Sequence, residues 1–362
     1  MAVTDKHRQS GFSLVELMIG MLLGVMLLAG AASIYLASKR SFTEVEQIAA
    51  LSDNARFALQ ILTDSLRHVG FTGQGYNNSI DIDPAIASVT SNCTNTAASN
   101  AEAYNLARPL EGVLVNGTYG DEVDRSLFTC ITDAKSATDV LIIKHVVSAP
   151  LWDADPDDPN AVRNGEIDFP GTLDPSTTYV MTNNVVARLF DGNDMAPTIT
   201  LGGDIPNGTA WPYLFEIFYV RNTATGPHLA RKYLQWNSTL NANEVKTENL
   251  AAGVERMHFM FGRDTDADGE IDIYSNISEV NAPPGAWAEV ASIEAYLLVR
   301  NATPDPQYID EKFYVLADKD PFQPKATPFT GSTIAPNNFR RMVMHTSVSM
   351  RNMKLMLRGG GT

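Results

Sequence analysis

Five acidic residues at alternate positions form the densest site-like pattern in the chain: Asp264-Thr265-Asp266-Ala267-Asp268-Gly269-Glu270-Ile271-Asp272. Carboxylates spaced in this way gather hard oxygen ligands, and the glycine permits the sharp turn that a Ca2+ loop requires. On this reading Asp264, Asp266 and Asp268 donate side chains, Glu270 its backbone carbonyl, and Asp272 a direct or water-mediated contact. Counted from Asp264, the twelfth position is Ser275 rather than a bidentate glutamate, so the ligand set of a helix-loop-helix calcium site is incomplete. The flanks read as strand before and loop after. A plain hairpin turn, held by hydrogen bonds from backbone to Asp side chains, accounts for the same residues. Any metal here is expected to be structural, since nothing beside it suggests an activated water. The other acidic cluster, Asp153 to Asp158, holds one proline with a second directly after it at Pro159, has no glycine, and reads as a solvated loop.

Other chemistry is sparse. The six histidines, His7, His68, His145, His228, His258 and His345, form no HExxH or other close ligand pair, and neither a GxSxG elbow nor a Walker-type phosphate loop occurs. His258 sits among Met257, Phe259, Met260 and Phe261 on an expected strand, as a packed or surface residue. No enzyme activity is expected. The two cysteines, Cys93 and Cys130, are separated by thirty-six residues. Outside the cytoplasm a disulfide closing that loop would remove roughly 3 to 4 kcal/mol of unfolded-state entropy. Two buried free thiols are the alternative, and the spacing suits no CxxC site. Glu16 is the remaining candidate. An ionised carboxylate at the edge of an apolar run costs about 2.5 kcal/mol or more to draw into hydrocarbon unless it meets a positive partner.

The elements that must carry these residues begin with the run after Glu16. From Leu17 to Leu36 there are twenty residues without a charge, enough at about 1.5 Å per residue to span the roughly 30 Å core of a bilayer. Lys6 and Arg8 precede the run while Lys39 and Arg40 follow it, so charge alone leaves the orientation open. Gly20, Gly24 and Gly30 either admit close helix approach or reflect the frequency of glycine in membrane helices. Beyond Arg40 the pattern becomes one-sided: Val45, Ile48, Ala55, Ala58, Leu59, Leu62, Leu66 and Val69 form one stripe of a continuing helix, with Gly70 as its stop. Unbroken from Phe12 to Val69, such a helix is about 87 Å long.

Gly70 to Thr138 reads as loops and short elements around the cysteines. Strands are expected at Val140 to Val147, Thr178 to Met181, Val185 to Phe190, Tyr213 to Arg221, Leu229 to Trp236, Arg256 to Phe261, Val290 to Arg300, Lys312 to Ala317 and Met342 to Met350. The last places Met342, Met344, Thr346, Val348 and Met350 on one face, as a half-buried strand does. Helix first and sheet afterwards predict an α+β fold, a long N-terminal helix packed on a mostly antiparallel β-sheet body. The expected organisation is a leader at 1–11, a transmembrane helix at 12–37, an amphipathic continuation at 38–70 and a β-rich body at 71–362, with a weak division near residue 205.

The 362 residues are 44% apolar and carry a net charge of −15, so a sizeable core is available beyond the anchor. Residues 70–337 hold sixteen basic and thirty-six acidic groups, a net −20. So acidic a body is a poor partner for nucleic acid phosphates and fits a solvated extracytoplasmic surface.

The stretch Gly11-Phe12-Ser13-Leu14-Val15-Glu16-Leu17, followed by its charge-free run, resembles the class III leader of type IV pilins and of the pseudopilins of type II secretion. A secretory signal is cut after its apolar block and discarded; here the resemblance puts the cut between Gly11 and Phe12 and keeps the helix. Asn54 to Leu62, Arg67 to Phe71 and the closing run Arg340 to Asn352 are similar to PilW-type minor pilins, which often carry an Asp-rich turn like the one at Asp264. The resemblance implies a pilin-like fold, cleavage by a prepilin peptidase, N-methylation of Phe12, and pairing of Glu16 with the freed Phe12 amine of a neighbouring subunit. It implies a protein of the inner membrane with a periplasmic body, later at the pilus tip at the cell surface. Its expected partners are other minor pilins, the major pilin and a large tip adhesin. The expected function is initiation and capping of a type IV pilus. The nearest alternative is a J-type pseudopilin of type II secretion, and the alternative from another class is a membrane-anchored extracytoplasmic enzyme.

Overall fold

The computed structural model describes residues 11, 13–73, 80–90, 102–115, 130–283, 285–325 and 337–353. The chain divides into two compact units, Met1–Ala50 and Leu51–Thr362. One helix, α1 (Leu14–His68), supplies the described secondary structure of the first unit and the opening of the second. In the first unit its apolar side chains, from Leu14 through Leu36, are exposed. An 18-residue window there has a mean hydropathy of 2.3 and none of it is buried, so the helix is long and apolar enough to cross a membrane.

In the second unit the helix changes character. Leu51, Ala55, Ala58, Leu62 and Leu66 recur at three- and four-residue steps and are buried, together with Ser65. Val45 and Ile48 belong to the same stripe by spacing but are exposed. Periodicity identifies a face; it does not say how far along the helix that face is covered. The helix ends as expected: Gly70 takes a φ of 70°, a conformation that glycine adopts without a steric penalty. Its N–H then reaches Lys144 O at 3.2 Å.

The body contains two sheets. The first holds nine strands: β1 (Ile80–Ile82), β2 (Val89–Thr90), β3 (Leu110–Val115), β4 (Thr138–Val146), β5 (Thr178–Thr182), β6 (Ala187–Asp191), β7 (Thr209–Thr223), β8 (Gly226–Asn237) and β9 (Ala242–Ala252). The second runs in the order β11 (Ile273–Asn276), β10 (Val254–Arg263), β12 (Val290–Arg300), β13 (Arg341–Ser349). Among the described residues only β1 with β6 and β2 with β9 pair in parallel; the remaining pairs are antiparallel. The α+β expectation therefore holds. The division expected near residue 205 does not coincide with a break, because β5 and β6 precede that point and β5 pairs with β7 after it.

Strand β4 is buried along its whole length because both faces are covered. Leu141 and Ile143 join α1, β10 and β12 in one core. Val140 and Ile142 face a second core built with Tyr104, Tyr213, Phe215 and Tyr219. The chain passes from the first sheet to the second at Gly253, whose φ is 79°. A Cβ there would lie 2.1 Å from Arg300 O, so the corner excludes a side chain.

Most expected strands are present, with two departures. Lys312 to Ala317 forms no strand: a single bridge joins Tyr314 to Phe322, while Tyr314 and Leu316 pack on Leu298 and Val343. Conversely, β1, β2, β3, β9 and β11 form where no strand is expected. Strand β9 reads Ala-Asn-Glu-Val-Lys-Thr-Glu-Asn-Leu-Ala-Ala, too polar to signal a strand, and is held by an eleven-residue span opposite β8. Strand β13 does bury alternate positions: Val348 and Met350 enter the main core, with Met342 and Met344 against it.

Candidate functional site

At the head of α1, Gly11 is exposed and Phe12 lies outside the described residues. Ser13 occupies the N-cap. Its Oγ accepts from Val15 N at 3.3 Å, and Glu16 Oε2 accepts from Ser13 N at 2.9 Å. The glutamate three positions on makes its half of a capping box, while Ser13 caps the second helical N–H rather than that of Glu16. Glu16 thus has an intrachain use, satisfying an N–H that the helix leaves unpaired. The spacing Ser-x-x-Glu signals this contact directly. Further along, a Cβ added to Gly20, Gly24 or Gly30 meets nothing within 4 Å. Within one chain these glycines have no packing role.

The acidic loop lies between β10 and β11. Positive φ angles at Ala267 (61°) and Gly269 (99°) turn the backbone. Carboxylate oxygens of Asp264, Asp266 and Asp268 all lie within 4.8 Å of one another. Three backbone N–H groups close the loop: Asp268 N to Asp266 Oδ1 (3.2 Å), Gly269 N to Asp264 Oδ2 (2.9 Å) and Glu270 N to Asp268 Oδ1 (2.7 Å). Asp264 is only 3% exposed, and its Oδ1 is buried with no hydrogen-bond partner.

The expected ligand set is narrowed here. Asp272 is not in the cluster: its Oδ2 accepts both Thr265 N and Thr265 Oγ1 at 2.7 Å, and these bonds hold its carboxyl below the usual range. Turning back on Thr265 closes the base of the hairpin. The side chain of Glu270 is likewise outside the cluster. Ser275, at the twelfth position, is buried and accepts from Arg263 Nη1 at 3.5 Å. Asp155 and Asp158, in the other acidic segment, accept backbone N–H groups two residues on, and Asp153 accepts from Asn164 and Gly165; this segment is a loop.

Cys130 is disulfide-bonded. The chain's other cysteine, Cys93, lies outside the described residues. His258 is buried, with Nδ1 2.7 Å from Asp139 Oδ2 and Nε2 2.7 Å from Asp318 Oδ1. Nε2 is hydrogen-bonded to Asp318, while Nδ1 lies beside Asp139 without making a hydrogen bond.

Sequence reasoning missed two buried ionic clusters. Arg341, on β13, reaches Glu255 Oε2 at 2.6 Å and Asp310 Oδ2 at 3.1 Å, and none of these groups is more than slightly exposed. Lys144, fully buried on β4, donates to Glu102 and to the carbonyls of Asn105 (2.9 Å) and Arg108 (3.0 Å). Lysine inside an apolar strand was the available signal, since buried charges persist only when paired.

Residues 217–352 match the family model described as Type IV Pilus-assembly protein W. Residues 6–32 match the Prokaryotic N-terminal methylation motif. Over these two stretches the chain is similar to PilW-type pilins. No curated protein and no solved structure matches it significantly. The part matched by the pilus-assembly model runs from within β7 to just past the end of β13, so it takes in the second sheet, the acidic loop and Arg341. The methylation motif takes in Gly11, Phe12, Glu16 and most of the unburied apolar segment, and the two matches together support a membrane-anchored, pilin-like protein.

Proposed function

We propose that this chain is a PilW-type minor pilin that initiates and caps type IV pilus assembly as part of a tip or priming complex. The observation that carries the reading is the union, in one chain, of a methylation-motif N-terminus, a wholly unburied apolar helix and a PilW-matched body. An apolar surface of that length is stable only in lipid or against other apolar helices. Release from the membrane therefore requires sister helices to replace the lipid.

In this scheme a prepilin peptidase cuts after Gly11 and Phe12 is N-methylated. The protein waits in the inner membrane with its body in the periplasm, then assembles with other minor pilins and the major pilin. Glu16 neutralises the Phe12 amine of a neighbour during docking, which removes two charges that are unfavourable alone in hydrocarbon. A body of some 300 residues is bulky for the repeating unit of a thin fibre and suits a low-copy place at its end, where it can carry a large adhesin. Mass spectrometry of sheared surface filaments tests the reading: the chain should be found at low copy with a methylated Phe12 terminus, and its deletion should abolish surface pili. Deletion that spares pili and blocks exoprotein release would instead assign it to a secretion pseudopilus.

A further inference from the structure

We propose that the β10–β11 turn is a Ca2+ site formed by the side chains of Asp264, Asp266 and Asp268. Three carboxylates converge within 4.8 Å, an arrangement whose mutual repulsion opposes the turn unless a cation lies between them. Clusters of exposed acids are common, and the convergence by itself would carry little. The deciding feature is Asp264. Its carboxylate is buried in the loop, Oδ2 is fixed by Gly269 N, and Oδ1 is sealed from solvent without a donor. A buried carboxylate oxygen without a partner is unfavourable, and a cation bound in the loop would supply what the chain does not.

The nearest guanidinium in sequence does not serve. Arg263 is directed to Glu289, with Nε 3.0 Å from Oε2, and to Ser275. The donors are all oxygen and no imidazole or thiolate joins them, which selects a hard cation. Mg2+ demands a regular octahedral shell and gives up water reluctantly, whereas Ca2+ accepts irregular sets of six to eight oxygens. Three side chains leave the rest of the shell to backbone carbonyl and water. The affinity therefore belongs with the weak extracellular class, about 10⁻⁴ to 10⁻³ M.

The consequence would be local and mechanical. Asp264 N donates to Glu289 O and Asp272 N to Arg263 O, each at 2.9 Å. The loop is thus tied at one end to the residue before β12 and at the other to the end of β10, just ahead of β11, the edge strand of the second sheet. Filling it pins that edge. The inference is independent of the pilus reading, because it is tested on the isolated chain.

The full-length protein in detergent, stripped with EDTA, is titrated with CaCl2 by calorimetry and followed by thermal melting and hydrogen exchange. Expected are one site per chain, a melting temperature several degrees higher at saturating Ca2+, and slower exchange over residues 265–276. The double variant Asp266→Asn/Asp268→Asn alters two exposed side chains and should melt like the parent in EDTA while weakening Ca2+ binding by about tenfold or more. Asp155→Asn/Asp157→Asn, in the other acidic loop, should leave binding intact. Absence of heat and of any melting shift up to about 10 mM Ca2+, well above the affinity expected for such loops, would overturn the proposal. So would binding that the Asp266→Asn/Asp268→Asn variant leaves unchanged.

Discussion

Glu16 accepts the Ser13 N–H within its own chain, and the proposed assembly role needs its charge; substitution separates the two uses. Glu16→Gln keeps an acceptor for the cap and removes the charge. Leader processing should persist while filament incorporation, counted by mass spectrometry of sheared fibres, falls by about tenfold or more, since pairing offsets a desolvation cost of about 2.5 kcal/mol. Incorporation at the parental level would show that capping is the whole of the residue's role. Glu111 offers a second test at this scale. Burial, and then the nearby Glu102, push its carboxyl up to about 7. The folded chain therefore holds a proton there that the unfolded chain releases near 4.5, so this contribution to stability is present at acidic pH and is lost as pH rises through about 7. The loss is on the order of 3 kcal/mol. Melting temperatures across that window should fall less steeply for Glu111→Gln than for the parent; parallel curves would refute the assignment.

Among the elements, β13 and the Gly253 corner depend most on distant partners. Arg341 anchors β13 by meeting Glu255 at the start of β10 and Asp310 in the segment that follows β12. Arg341→Met leaves two buried carboxylates with fewer partners and should cost about 3–5 kcal/mol. That loss is measurable as a shift of the denaturation midpoint, and a shift below about 1 kcal/mol would show the cluster to be dispensable. At the corner, Gly253→Ala meets Arg300 O and a φ that side chains disfavour. A penalty on the order of 3 kcal/mol is expected. The packing of α1 is a more ordinary case: Leu62 is fully buried, and Leu62→Ala should cost about 2–5 kcal/mol.

For the molecule as a whole, the division at Ala50 and Leu51 separates an apolar helix segment from an acidic body whose core begins at Leu51. A chain begun at Ser41 retains every buried residue of α1 and should be soluble, monomeric by size exclusion and cooperatively folded. One begun after Leu66 loses the stripe and should aggregate, because it uncovers apolar faces on β4, β7, β10 and β12. Equal behaviour of the two would mean that the helix contributes nothing to the body's stability.

Much of this was legible in the residues themselves. The charge-free run, the stripe from Ala55 to Val69, the alternation along β13 and the spacing of Asp264, Asp266 and Asp268 are patterns between near neighbours. Backbone geometry converts such patterns into faces and turns without help from the rest of the chain. Tertiary structure decided what depends on remote contact: that burial starts at Leu51 and not at Val45, that polar β9 is a strand because β8 lies beside it, and that Asp272 turns to Thr265. It also joined Arg341 to Glu255 across 86 positions and left Asp264 Oδ1 sealed without a donor. Burial and charge pairing belong to neighbours in space, and for those residues only the folded chain determines which neighbours they are.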